Sequence, residues 1–232
     1  MTAAVSPVHS VRRRLALALP ALLLAALPLG LRAEAGASLR ASEVFEPLVM
    51  LERLPESQRH LIGWRYTLQT IPPGGTVKAW YLDQGQRVEI PIAADGSFER
   101  PAALTRPGFD PLLQANRPER ELKLDAQLMV RAPDFQSLRY ADLQRAAQQM
   151  NGFIKSQAGL LSFLAPKVQY MDFHCQTAGD CLVELKLPQG TRRLTPDAQG
   201  RIGLALSAEL EDVNPEIQVK GRMLAITGRQ PE

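Results

Sequence analysis

Gln84-Gly85-Gln86-Arg87, followed by Asp95-Gly96-Ser97-Phe98, is written a second time as Gln189-Gly190-Thr191-Arg192, followed by Gln199-Gly200-Arg201-Ile202. The offset is 105 residues from Gly85 to Gly190 and 104 from Gly96 to Gly200. Gly75 and Gly179 are also 104 apart, as are Tyr66 and Tyr170. Turn glycines recur in any β-protein, but a nearly constant offset over these landmarks points to one structural unit used twice.

Outward from these turns, apolar residues alternate with polar ones. Ile62, Trp64, Tyr66 and Leu68 share one face, and Leu122, Leu124, Ala126, Leu128 and Val130 another, which is the period of half-buried antiparallel strands. Further strands are expected over Val77–Leu82, Val88–Ile92 and around Phe98, then over Val168–Cys175, Leu182–Leu187, Arg192–Thr195, Ile202–Leu206 and Ile217–Ile226. A spacing of three and four places helices over Ser42–Arg53 (Val44, Phe45, Leu48, Leu51) and from Tyr140 (Leu143, Ala146, Ala147, Met150). A short helix, Leu160–Ala165, is stopped by Pro166. The expected fold class is α+β, predominantly antiparallel β, with two tandem modules of a helix plus a five-stranded meander. Two β-sandwiches joined by a helical linker are the alternative. The expected boundaries are 1–35 for an export signal, 36–134 for the first module, 135–167 for a helical segment and 168–232 for the second module.

The first 35 residues carry Arg12-Arg13-Arg14, a Leu/Ala-rich run from Leu15 to Gly30 and the small-x-small sequence Ala33-Glu34-Ala35. That is the order of a secretory signal peptide, cleaved before Gly36. An uncleaved anchor is the competing reading, and Pro20 and Pro28 argue against it. The segment also carries the charge excess. The chain has 27 Lys plus Arg against 24 Asp plus Glu; subtracting Arg12, Arg13, Arg14, Arg32 and Glu34 leaves 23 of each. A processed chain of near-zero net charge has no basic footprint for nucleic acid. It is expected to be periplasmic or secreted, with no stable membrane span after cleavage.

The chain's two cysteines, Cys175 and Cys181, flank a turn-forming stretch. In an oxidising compartment they are expected to form a disulfide stapling a hairpin near its tip. Chain entropy assigns so short a loop about 2–2.5 kcal/mol.

Catalytic motifs are not apparent: there is no Gly-x-Ser-x-Gly, His-Glu-x-x-His, phosphate-binding glycine loop or Cys-x-x-Cys-His. His60 and His174 are the histidines outside the export signal. Asp172 and His174 share a strand face and could orient an imidazole for acid–base work. Met171, Phe173 and Cys175 lie opposite them as core, so the plainer reading makes Asp172, His174, Glu184 and Lys186 the solvated face of a hairpin. Met171, His174 and the two cysteines would suit soft copper only with reduced thiols; neither metal nor cofactor is expected. Trp64, Tyr66, Trp80 and Tyr81 cluster in the first hairpin, where Trp64 and Trp80 are candidates for an aromatic binding surface.

The segments Met150-Asn151-Gly152-Phe153-Ile154-Lys155 and Phe163-Leu164-Ala165-Pro166-Lys167-Val168 resemble an uncharacterised family of exported proteins of Gram-negative bacteria. The resemblance implies export and carries no functional residues. Asp95-Gly96-Ser97-Phe98 is similar to turns of transthyretin-like and carboxypeptidase regulatory-like β-modules. The expected function is a non-catalytic cell-envelope binding or assembly protein. It would act on an envelope protein or small ligand through a sheet face or the groove between modules. A periplasmic hydrolase using dispersed carboxylates is the alternative.

Overall fold

The computed structural model describes residues 36–132, 137–159, 163, 165–175, 181–196 and 201–230. The export signal, the turns at 176–180 and 197–200 with Gly179 and Gly200, and most of the helix expected over Leu160–Ala165 lie outside them.

The protein is α+β with mostly antiparallel strands, and its described elements fall into two halves of the same order. The first runs β1 (Ser38–Arg40), α1 (Ala41–Glu52), β2 (Ile62–Thr70), β3 (Ala79–Asp83), β4 (Gln86–Ile90), β5 (Ser97–Phe98), β6 (Leu112–Ala115) and β7 (Leu122–Val130). The second runs β8 (Ser137–Arg139), α2 (Tyr140–Gln157), β9 (Tyr170–Cys175), β10 (Leu182–Leu187), β11 (Gly190–Leu194), β12 (Ile202–Ala205), α3 (Ala208–Val213), β13 (Glu216–Lys220) and β14 (Met223–Arg229). Helix α2 therefore stands in the second half where α1 stands in the first. In the place of α3, between β5 and β6, the first half has a single 3-10 turn, Ala102–Thr105.

Each half has seven strands where the alternation predicts five, and the order is not a meander. One four-stranded sheet is ordered β1-β6-β3-β4, and its equivalent is β8-β13-β10-β11. The remaining strands, β7-β2-β5 and β14-β9-β12, join edge to edge through β7 and β14 in one six-stranded sheet. Equivalent strands meet at its centre, so a pseudo-two-fold axis passes between them. The extra strands are β1 and β6 in the first half; in the second they are β8 and a second strand from the stretch Ile217–Ile226, which divides into β13 and β14. Strands β1 and β8 have three residues each, too short for alternation to reveal.

Both helices start in the same way. The Ser-Leu-Arg of β1 and of β8 leads into the helix, and an acid three residues on, Glu43 or Asp142, accepts the Arg backbone N–H. The next N–H groups go to a loop that reads Asp110-Pro111 in one half and Asn214-Pro215 in the other. Ala41 N–H donates to the Pro111 carbonyl and Tyr140 N–H to that of Pro215. Ser42 N–H donates to Asp110 Oδ1 and Ala141 N–H to Asn214 Oδ1, at 2.8 and 2.9 Å. Donors that a helix N-terminus leaves unpaired are thus satisfied by the same device twice.

Two expected equivalences are corrected. The hairpins β3–β4 and β10–β11 align with Asp83 opposite Gln86 and Leu187 opposite Gly190, which matches Gly85 to Gln189 rather than Gly190. The first turn uses positive φ at Gln84 and Gly85; Pro188 forbids that in the second, and the positive φ moves to Gly190. Tyr66 points into the core against Phe45, whereas Tyr170 lies on the opposite face of the sheet under the Arg229 guanidinium.

Cys175 and Cys181 are disulfide-bonded with Cα atoms 5.7 Å apart. The bond does not staple a hairpin, because β9 and β10 belong to different sheets. It ties the end of β9 in the six-stranded sheet to the start of β10 in the four-stranded one. Among the described residues no helix is long and apolar enough to cross a membrane.

The core has two parts. One gathers Leu143, Met150, Met171, Phe173, Val183, Leu185, Ile217 and Ile226 of the second half with Ile62 and Val130. The other gathers Phe45, Tyr66, Tyr81 and Ile90 of the first. Helix α2 approaches the sheet so closely that a Cβ on Gly228 would stand 2.6 Å from Met150 Sδ.

Candidate functional site

The chemistry-bearing residues expected on one solvated hairpin face are divided between two sheets, and the carboxylates are buried. Asp172 and His174 lie on β9, inside the six-stranded sheet, on the face turned away from Met171 and Phe173. Arg229 Nε on β14 donates to Asp172 Oδ2 at 2.7 Å. Gly203 on β12 leaves room for them; a Cβ there would meet Asp172 Oδ1 at 3.1 Å and Arg229 Nη2 at 3.3 Å. His174 Nε2 lies 2.7 Å from Thr227 Oγ1. Across the seam, Arg65 on β2 donates to Asp95 at 2.8 Å. Burial works to raise the Asp95 pKa, but hydrogen bonds from Ser97 and Arg65 outweigh it and hold the carboxyl below its usual range. Burial, and then the Arg65 guanidinium, push the His174 pKa down, so its ring is neutral at pH 7.

A hydroxyl at 2.7 Å from an imidazole is the spacing of a nucleophile and its base. The surroundings give it no such work. Thr227 is buried, and Asp172 is engaged by Arg229 and makes no hydrogen bond to His174. These residues tie β9 to β14. His60, the other histidine among the described residues, is exposed, with Nδ1 3.0 Å from Gln149 Nε2. Among the described residues no group of three or more His, Cys, Asp or Glu is placed to hold a metal.

Glu184 lies on the outer face of the second four-stranded sheet. Its side chain is 4 % exposed beneath Lys220 Nζ at 3.0 Å, Arg193 Nε at 3.1 Å and Lys186 Nζ at 3.4 Å. The Lys220 hydrogen bond, opposed by burial and reinforced by Arg193 and Lys186, lowers its pKa from 4.5 to about 2. A depressed folded-state pKa means these contacts stabilise fully above the ordinary glutamate range and are lost as the pH falls from there toward 2. Lys220→Met should move the Glu184 titration, followed by carboxyl carbon NMR shifts, back toward 4.5 and raise the pH of acid unfolding. An unchanged titration would show that Lys220 does not hold the charge.

The register that matches Gln114 to Gln218 places Trp80 where Glu184 stands. Trp80 is half-buried on the outer face, its Nε1 donating to Gln114 Oε1 at 3.0 Å and the Arg87 guanidinium 3.8 Å above its ring. Trp64 is half-buried. Its Nε1 donates to the Pro47 carbonyl at 2.9 Å and its ring packs edge-on against Phe153, joining α1 to α2.

The chain matches no protein-family model, no curated protein and no solved structure. Function is therefore argued from the sites themselves.

The feature that pattern reading missed is a cavity of about 200 Å³ between the two sheets of the first half. Leu39, Leu68, Ile90, Leu113 and Leu124 line it with Ala79 and Ala115. Leu39 and Leu124 are 43 % and 39 % exposed, and Glu119 is the only charged residue in its wall among the described residues. In the second half Val183 and Val219 take the places of Ala79 and Ala115, and Ile217 that of Leu113, all buried. Leu210 of α3 adds to that core. Among the described residues, the positions that answer the hollow's alanines are filled by buried valines. The signal was present: alanines at 79 and 115 answer valines at 183 and 219 at the offset of 104.

Proposed function

We propose that this is an exported, non-catalytic binding protein that takes an apolar group into the cavity of its first half. One observation carries the reading: two copies of one fold differ by an aliphatic hollow that widens toward exposed leucines. Ligand sites are concave and mostly apolar with few polar groups, and the hollow has that character. The signal-like Ala33-Glu34-Ala35, the Cys175–Cys181 disulfide and the resemblance to an exported Gram-negative family support export. The hydrolase alternative has less support, since in its best pair, His174 and Thr227, the hydroxyl is buried and the imidazole half-buried.

The test copies the filled half into the hollow one. N-phenyl-1-naphthylamine, a neutral apolar dye, should bind the wild-type protein with enhanced fluorescence. Ala79→Val with Ala115→Val should weaken it about tenfold or more, a loss of about 1.4 kcal/mol. No saturable binding to the wild type, or equal binding by the variant, would overturn the reading.

A further inference from the structure

We infer that the natural occupant is an extended apolar peptide segment of a partner protein, added as a strand along the open edge of β1. The inference rests on the cavity reading and specifies its ligand.

Among the described residues, strand β1 is the outermost strand of its sheet and pairs on one side only, with β6. Ala37 faces that partner: its N–H donates to the Arg117 carbonyl at 2.8 Å and its carbonyl accepts from Ala115 N–H at 2.9 Å. Backbone groups alternate along a strand, so the Ser38 N–H and C=O point to the open edge. Ala37, Ser38 and Leu39 all line the cavity. Side chains of consecutive strand residues point to opposite faces, so three in a row around one hollow mean that it opens at the strand's edge.

The opposite wall includes Leu122 and Leu124 of β7. Pairing between β7 and β14 is confined to Met129 opposite Thr227, leaving the first part of β7 without a strand on that side among the described residues. There the Ala126 N–H turns to the carboxylate of its own neighbour, Asp125, at 3.0 Å. The hollow is thus walled by apolar side chains and bordered by β1, whose outward backbone groups β6 does not use.

An acyl chain would fill the hollow but give the Ser38 N–H and C=O nothing. An added strand hydrogen-bonds to the edge while alternate side chains enter the cavity, which is the general mode of peptide capture by sheet edges. Glu119 in the wall favours a basic residue beside the apolar row.

The probe is the blocked, fluorescein-labelled peptide Lys-Val-Thr-Val-Thr-Val-Lys, titrated against the full processed chain by fluorescence anisotropy. Saturable binding is expected. N-methylation of alternate peptide amides, which leaves the side chains in place, should weaken it tenfold or more. Ser38→Pro should do the same, since it removes an N–H that β6 does not use, and so should Ala79→Val with Ala115→Val. If the peptide fails to bind while N-phenyl-1-naphthylamine still does, the strand inference falls and the cavity reading stands. Equal binding by the N-methylated peptide, or displacement of the dye by decanol but not by peptide, also overturns it. So does a dimer in sedimentation that Ser38→Pro dissociates, since the edge would then belong to a second copy.

Discussion

Phe173→Ala should lower the free energy of unfolding by about 3–5 kcal/mol, the range for emptying a buried aromatic site. Phe173 lies at the middle of β9 with Ile202 opposite it on β12 and Ile226 on β14, all three buried. Helix α2 closes the layer with Leu143 and Met150. The ring is held by rigid neighbours on each side, so little can collapse into the space it leaves. Phe98 makes the useful comparison. It is half-buried on the two-residue strand β5, packs on Phe45 and Tyr66, and already lines the cavity of the first half. Phe98→Ala enlarges an existing opening instead of creating an enclosed void, and should cost roughly half as much. Urea unfolding of both variants checks the pair. Equal losses would contradict the unequal packing of the two halves.

The sequence showed the repeat but placed its landmarks imperfectly, and the reasons are physical. Alternation over Ile62–Leu68 and Leu122–Val130 identifies strand faces because one face packs on the core, and those strands form as expected. Alternation says nothing about which sheet a strand joins. Val168–Cys175 and Leu182–Leu187 read as a hairpin because a turn separates them, yet their strands enter different sheets. For the same reason Asp172 and Glu184 read as solvated. One is covered within the six-stranded sheet near the pseudo-axis, and the other is roofed by the long side chains of Lys186, Arg193 and Lys220. Turn glycines were weak landmarks because a turn can shift its positive φ by one position, as Gly85 and Gly190 do. Helix-entry residues are stronger ones. Ser38-Leu39-Arg40 with Ser137-Leu138-Arg139, and Asp110-Pro111 with Asn214-Pro215, hold specific hydrogen bonds and recur at equivalent places. The cavity becomes legible only after that alignment, since Ala79 and Ala115 are unremarkable until set against Val183 and Val219.

Arg229→Met should cost about 3 kcal/mol, near the lower end for breaking a buried ion pair by removing one partner. The side chains of Arg229 and Asp172 are 27 % and 6 % exposed, with Nε 2.7 Å from Oδ2. Asp172 Oδ1 is buried and has no hydrogen-bond partner among the described residues. Once the guanidinium is gone, the carboxylate keeps its desolvation without the contact that offsets it. The asymmetry supplies the control. Asp172→Leu combined with Arg229→Met removes both charges and places apolar side chains at the seam, and such exchanges are often neutral or stabilising. The double variant should therefore recover most of the single variant's loss, measured as a coupling energy in a urea double-mutant cycle with Asp172→Leu alone. Strict additivity would mean that Asp172 and Arg229 act independently. It would also remove the reason for Gly203, whose missing side chain leaves space beside Asp172 Oδ1 and Arg229 Nη2. Gly203→Ala should accordingly lose stability in the wild type and little in the double variant, where neither charged group remains to be displaced.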